Sequence, residues 1–323
     1  MSTEKNLVPF FRRGDIGGLT YAVTNNIVNY LIVIATLSGA LGWPEEIVYG
    51  RVIPGMSIGL LCSGLYYAYM GWKLSKKEGR SDLAALPSGV STPAMFVMLY
   101  GVITPLHYGI GDPELEWAAA MAACFTGGIV EFCGGFIGPW MKKRIPRAAL
   151  LGTVAGIGLI WMATQGVFDV FGDPLVGLPI LAVAMVGLFG GYVFPKKIPP
   201  LVVAIVGGII YALCLGRTTF DFSGIGFYFP NPVNTIQTMI SGFAIMAPYL
   251  TIIIPIEIYN FIETMDNVEA ANAAGDAYSV REAQFADGIC TMISALFGGV
   301  VPNTVWLGHA GLKKTGAGIG YSV

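Results

Sequence analysis

The chain has 323 residues, 54% hydrophobic and 12% charged, with a mean hydropathy of +0.67. A soluble domain carries about a quarter charged residues, so this composition excludes one and describes a chain immersed in lipid. A net charge of −2 with no long basic tract argues against nucleic acid as a partner.

The amino terminus, MSTEKNLVPFFRRGD, leads into an apolar stretch too long and too polar for a cleaved signal peptide, so it reads as a retained first span. Windows of about 20 apolar residues place segments near 16–42, 52–74, 86–104, 116–141, 148–170, 175–194, 199–215 and 239–264. Two shorter ones follow near 284–297 and 300–312, which makes ten segments. With residues 1–15 taken as a cytoplasmic amino terminus, all but Arg51 and Arg217 of the 18 lysines and arginines fall on the inside, the bias expected of cytoplasmic loops. The pairs Gly134/Gly138 and Gly152/Gly156 have the small-xxx-small spacing of close helix packing. The cysteines, Cys62, Cys124, Cys133, Cys214 and Cys290, lie in apolar stretches without a CxxC pair and read as packing residues.

Segments three and ten are interrupted. ALPSGVSTPAMF carries Pro87, Gly89 and Pro93, and GGVVPNTVWLGHAG carries Gly298, Gly299, Pro302, Gly308 and Gly311, residues that disfavour a continuous helix. Irregular backbone at membrane depth is tolerated only where protein or a water-filled cavity satisfies its polar groups. A matched pair of broken spans is a feature of inverted-repeat secondary transporters. A seven-segment repeat pairs segment three with ten and segment one with eight. Residues 16–225 then form the first repeat, segments one to four as a core part and five to seven as a gate part. Residues 226–323 supply only the first three segments of the second, so the chain reads as truncated and, by itself, as unable to transport. The expected fold is an all-α polytopic membrane protein with an inverted seven-plus-seven repeat and short extended stretches in segments three and ten.

The acidic residues of the spans are the candidate site. Asn260, Glu263 and Asn267 share one helical face, and an ionisable group inside a span is functional by default. Glu257 points away from that face and reads equally as functional or as satisfied by a neighbouring helix. Asp266 and Glu269 lie nearer the loop, where a solvated face is expected. Glu131, in segment four, reads either as an ion or proton relay or as a structural partner. Asp287 begins segment nine. Asn25, Asn26 and Asn29 in segment one read as interhelical hydrogen-bonding groups as readily as ligand contacts. His107 falls in an outer loop. His309 sits in the broken tenth segment, where a lone histidine is more often structural than a proton carrier. Two histidines and scattered cysteines assemble no zinc site of the usual type. There is no GxxxxGK[ST] phosphate loop, GxSxG elbow or kinase motif set, so neither an enzyme nor a cofactor is expected.

ADGICTMISALFGGVVPNT, from segment nine into segment ten, resembles the nucleobase-ascorbate transporters, the xanthine/uracil permeases; IPRAALLGTVAGIGL and ALPSGVSTPAMF resemble the related hypoxanthine/adenine/guanine permeases. The resemblance follows span order along essentially the whole chain. It implies fourteen spans in two inverted repeats, forming a core and a gate domain, with the substrate between the two extended stretches and segment eight. It puts the family's segment-eight acid, which hydrogen-bonds ring N–H groups of the base, on Glu263 and the following polar position on Asn267. Where the family usually has Glu or Gln followed by Asn in segment ten, this chain has Gly308 and His309. That departure leaves open another base, another planar heterocycle or a small anion; sulfate and bicarbonate carriers share the architecture.

The reading is therefore a secondary active permease for a nucleobase-like solute, coupled to H+ or Na+. Glu263, Asn267, Ser91, Thr92, Leu307, Gly308, His309 and Asn26 would contact substrate; Glu263, Asp266, Asp287 and Glu131 would serve coupling. An anion transporter or channel on the same scaffold is the alternative, although no Lys or Arg occurs in segments three, eight or ten before Lys313. A non-transporting solute receptor is the third. The partners are the small solute, the coupling ion and the bilayer, with a homodimer as an open option. The expected location is multi-pass, in a bacterial-type plasma membrane.

Overall fold

The computed structural model describes residues 8–144, 163–195, 200–219 and 230–323, with isolated positions between them. Lys5, Arg147, Gly156, Lys196, Lys197 and the first half of segment five, with most of IPRAALLGTVAGIGL, lie outside the described residues. The regular structure of the described residues is helical apart from two three-residue strands. In order it runs α1 (Arg13–Ile34), α2 (Glu45–Ile47), α3 (Ile53–Glu78), β1 (Ser88–Val90), α4 (Thr92–Val97), α5 (Thr104–Ile110), α6 (Pro113–Arg144), α7 (Thr164–Gly172), α8 (Pro174–Leu188) and α9 (Pro200–Cys214). It continues with α10 (Pro232–Met246), α11 (Leu250–Ala273), α12 (Val280–Leu296), β2 (Asn303–Val305) and α13 (His309–Lys314).

The punctuation follows the sequence. Proline opens α6, α8, α9 and α10, and left-handed glycines close α3 at Gly79 and α5 at Gly111, the asymmetry expected of helix ends. π-helical stretches at Ala35–Ala40, Val48–Val52 and Met98–Ile103 join the shorter helices into longer rods. Among the described residues five rods are long and apolar enough to cross a membrane: Arg13–Ala40, Glu45–Glu78, Thr92–Ile110, Pro113–Gly138 and Pro232–Ala273.

Segment eight is longer than hydropathy suggests. It starts at Pro232, where the Asn231 side chain accepts the Val233 N–H at 3.1 Å, and after a 3-10 turn at Ala247–Tyr249 runs on to Ala273. A hydropathy window stops at polar residues, yet Asp266 and Asn267 are both only 2% exposed. The solvated face expected for Asp266 is corrected accordingly. His107 lies in α5, not in a loop, with Nδ1 3.0 Å from the buried Glu116.

Contacts divide the chain into two compact units, Met1–Leu150 with Gly226–Val323, and Leu151–Ile225. In the smaller unit α8 and α9 pack through glycines: a Cβ at Gly208 would come within 2.7 Å of Ile180, and one at Gly187 would overlap Pro200. In the larger unit α6 lies against α10, α11 and α12. One core of that unit gathers Val33, Leu37, Trp43, Met95, Met98 and Trp117; a second, around the strands, gathers Tyr67, Leu83, Leu86, Met265, Tyr278 and Val305. Helix α1 buries Asn26 and Asn29 and exposes Leu19, Val23, Ile27 and Leu31. Polar groups turned inward and leucines outward are what a hydrocarbon solvent selects.

Candidate functional site

The two broken segments meet. β1 and β2 pair antiparallel, with Ser88 opposite Val305, Gly89 opposite Thr304 and Val90 opposite Asn303. The ladder extends at both ends through Ser91 N–H to Pro302 O (3.0 Å) and Trp306 N–H to Pro87 O (3.1 Å). A two-stranded ribbon leaves outer-edge groups unpaired, and in a dry interior each such group costs about 1–3 kcal/mol. Asparagines from α1 and α11 satisfy these edges. On α1, Asn26 accepts the Val90 N–H (3.2 Å) and donates to Ser88 O (3.3 Å), while Asn29 donates to Val90 O (3.4 Å). On α11, Asn260 donates to Asn303 O (3.1 Å) and Asn267 to Val305 O (2.6 Å).

Glu263 projects from α11 between those two asparagines and is 8% exposed. Ser91, the residue between β1 and α4, donates its hydroxyl to Glu263 Oε2 at 2.9 Å. The carboxylate is thereby fixed at the point where extended chain becomes helix, with its second oxygen left to accept other donors. Thr92, the first residue of α4, donates to Asn29 Oδ1 (3.0 Å). On the second broken segment Leu307 is 57% exposed, whereas His309 is 2% exposed. A Cβ on Gly308 would overlap the Trp306 ring, and that ring is anchored by its Nε1–H to Ser88 O (3.0 Å).

His309 meets Asp276, in the link between α11 and α12, with Nε2 2.8 Å from Asp276 Oδ2. Lys313 Nζ (2.6 Å), an Arg80 guanidinium nitrogen (3.0 Å) and the Ala84 N–H (3.2 Å) complete the set on this carboxylate. Burial alone would raise the Asp276 pKa, but the hydrogen bonds from His309, Lys313 and Ala84 outweigh it and hold the group at about 2.

Behind the ribbon sits a second polar cluster. Asp287 accepts from the Tyr67 hydroxyl, from Thr264 Oγ1 (2.7 Å) and from the Val305 N–H (3.1 Å). Glu131 accepts from Asn260 Nδ2 (3.3 Å) and Thr291 Oγ1 (3.3 Å), and its Oε1 lies 3.4 Å from Thr264 Oγ1. Glu257 projects beside this cluster into the notch left by Gly127, where a Cβ would approach its carboxyl carbon to 2.5 Å. The structure thus brings Glu263 to Ser91, joins Glu131 to Asp287, and holds Asn26 and Asn267 on strand edges. Asn260 was legible from its shared face with Glu263. Tyr67, Thr264 and Asp276 were not, because ordinary residue types at those positions gain their role only from chain segments far away. Among the described residues no group of three or more His, Cys, Asp or Glu could hold a metal ion.

Residues 56–317 match the model of a family described as the Permease family, named for xanthine and uracil permeases. The chain belongs to that family. No curated protein sequence matches it significantly. Among solved structures, the transmembrane domain of a cyanobacterium bicarbonate transporter, BicA, aligns with a TM-score of 0.60 and 17% identity, covering 98% of this chain and 80% of that one. The common ground with BicA is the fold. This permease is accordingly an all-α polytopic integral membrane protein of a transporter family.

Proposed function

We propose that this permease carries a nucleobase-like or other small heterocyclic solute, driven by a proton or sodium gradient. The observation that carries the reading is Glu263, buried at the end of β1 and held through one oxygen by Ser91 (2.9 Å). A carboxylate so placed accepts ring N–H groups in short, charge-assisted hydrogen bonds, while the family match supports a small-molecule cargo. In this reading Asn267, Ser91, Thr92, Leu307, Gly308, His309 and Asn26 shape the surroundings of the solute, Leu307 through its exposed side chain and the asparagines by fixing the strands. Glu263, Asp266, Asp287 and Glu131 serve coupling. The first four segments and their repeat counterparts form the core part, segments five to seven the gate part, with the amino terminus in the cytoplasm.

Uptake of labelled purines and pyrimidines into cells expressing the full-length protein tests this. Glu263→Gln should lower uptake about 10- to 100-fold, the worth of a charge-assisted bond; unchanged uptake would remove Glu263 from the mechanism. A second reading, transport of a bicarbonate-like anion, draws on the fold shared with the bicarbonate transporter BicA. Electrogenic bicarbonate flux without purine or pyrimidine uptake would favour it over the first.

A further inference from the structure

We propose that Glu131 and Asp287 share one exchangeable proton through the Thr264 hydroxyl, forming a proton site separate from Glu263. The inference deepens the coupling part of the reading above. Glu131 on α6 and Asp287 on α12 are both 0% exposed, as is Thr264 on α11 between them. Two buried negative charges this near each other require compensation, because neither water nor a counter-ion screens them. Among the described residues no Lys, Arg or His forms an ion pair with either. The titratable groups facing the pair are Tyr67 from α3, Cys124 from α6, Glu257 and Glu263 from α11, and Cys290 from α12. β2 contributes Asn303, Thr304 and Val305, none of which titrates. None of these groups is basic.

Hydrogen counting locates the missing positive charge. The Thr264 hydroxyl has a single hydrogen but three oxygens in reach: Asp287 Oδ2 at 2.7 Å, Thr304 Oγ1 at 2.9 Å and Glu131 Oε1 at 3.4 Å. Asp287 is dressed as a carboxylate, with donors from Tyr67, Thr264 and the Val305 backbone. With its hydrogen given to Asp287, Thr264 turns a lone pair toward Glu131 Oε1, and that contact is attractive only if Glu131 carries a hydrogen. The neighbouring Asn260 Oδ1 is a buried acceptor with no donor, so the cluster is short of hydrogens by its own geometry. Transfer balances: Glu131 passes its proton to the Thr264 oxygen as the Thr264 hydrogen passes to Asp287, leaving Glu131 ionised and Asp287 neutral. Thr264 and Asp287 touch β2 directly, at Thr304 Oγ1 and the Val305 N–H, and Glu131 reaches it through its partners Asn260 and Thr291, which bind Asn303 O and N–H. Loss or gain of the proton therefore changes the hold on the strand that pairs with the Ser91 end of β1.

Infrared difference spectroscopy on the purified full-length protein in lipid nanodiscs, titrated with acid and base in H2O and D2O, tests the site without substrate or transport. The expected result is a protonated-carboxyl carbonyl band at neutral pH that shifts in D2O, disappears in Glu131→Gln, moves in Asp287→Asn and Thr264→Val, and survives in Glu263→Gln. Should Glu131→Gln fail to fold, wild-type protein labelled with 13C-glutamate must shift the band. Absence of the band, its persistence in Glu131→Gln, indifference to labelled glutamate, or its removal by Na+ at constant pH would overturn the proposal. Because no solute is added, failure here is distinct from failure of the nucleobase reading.

Discussion

Asn267 supplies what a third strand would otherwise supply to β2. Its amide donates to Val305 O at 2.6 Å, so Asn267→Ala leaves that buried carbonyl with only the longer bond from Thr304 Oγ1 at 3.3 Å and should cost about 1 kcal/mol. Thermal unfolding in detergent measures this; an unchanged midpoint would mean the strand edge is satisfied in another way. Gly308 acts through space, not backbone freedom: its φ of −178° is ordinary extended chain, but a Cβ there would overlap the Trp306 ring. That ring is pinned by Ser88 O and packs against Tyr21 at 5.1 Å between centroids, so it has little room to move. Gly308→Ala should lower stability by about 1–3 kcal/mol through overpacking, read from the same unfolding curves. Gly298 is a case of both constraints, with φ +110° and a Cβ position 2.7 Å from Arg51 O.

At the scale of elements, α6 is a rod notched for its neighbours. Gly127 and Gly134, seven apart, receive Glu257 and Phe261 of α11, whereas Gly128 and Gly135 receive α12 at Gly288 and Phe285. The small-xxx-small pair Gly134/Gly138 therefore serves two different partners, Phe261 on α11 and Gln284 on α12. Glu131 lies between the notches, which is why it reaches both Asn260 and Thr291. Gly288→Leu should separate α6 from α12, since even a Cβ would stand 2.5 Å from Phe132 N. The expected outcome is loss of the monodisperse peak in detergent size-exclusion chromatography.

The link between α11 and α12 is held by charge. Asp276 gathers His309, Lys313 and Arg80 from α13 and from the chain after α3. Its pKa of about 2 lies below the ordinary aspartate value of about 3.9, so the folded state holds the carboxylate more firmly than the unfolded state. That contribution is present above about pH 4 and fades as pH falls toward about 2. With allowance for solvent screening it amounts to about 1–2 kcal/mol. Wild type should exceed Asp276→Asn in stability by that amount at neutral pH, and the gap should narrow on acidification below about pH 4. A gap constant across that range would show that packing, not charge, holds the link.

Across the whole molecule the ribbon of β1 and β2 ties residues 87–91 to residues 302–306. Ser88 and Val305 face each other in register, the arrangement that brings Cβ atoms within reach of a disulfide. In a background without the native cysteines, Ser88→Cys with Val305→Cys should cross-link on mild oxidation in native membranes, and Ser88→Cys with Leu307→Cys should not. No cross-link in the first pair would mean that the two broken segments do not pair.

Several features needed only the order of residues. A hydropathy of +0.67 fixed the solvent as lipid. Pro87, Gly89 and Pro93, and later Gly298, Gly299 and Pro302, were enough to mark two broken spans, because proline removes a helix hydrogen bond and clustered glycine lowers helix propensity. Glu263 was visible as a charge in an apolar helix, which has to find a partner. What the sequence could not carry was the partner's identity. Hydropathy ended segment eight near residue 264, although the helix runs to Ala273, since a window cannot tell a polar residue facing water from one facing a strand edge. Ser91 against Glu263, Thr264 between two carboxylates and Asp276 under His309 each join residues distant along the chain. Such pairings are settled by three-dimensional packing, where a buried polar group selects whichever donor the neighbouring element presents. Chain order determined that polar groups would lie inside lipid; only the tertiary structure decided which of them meet.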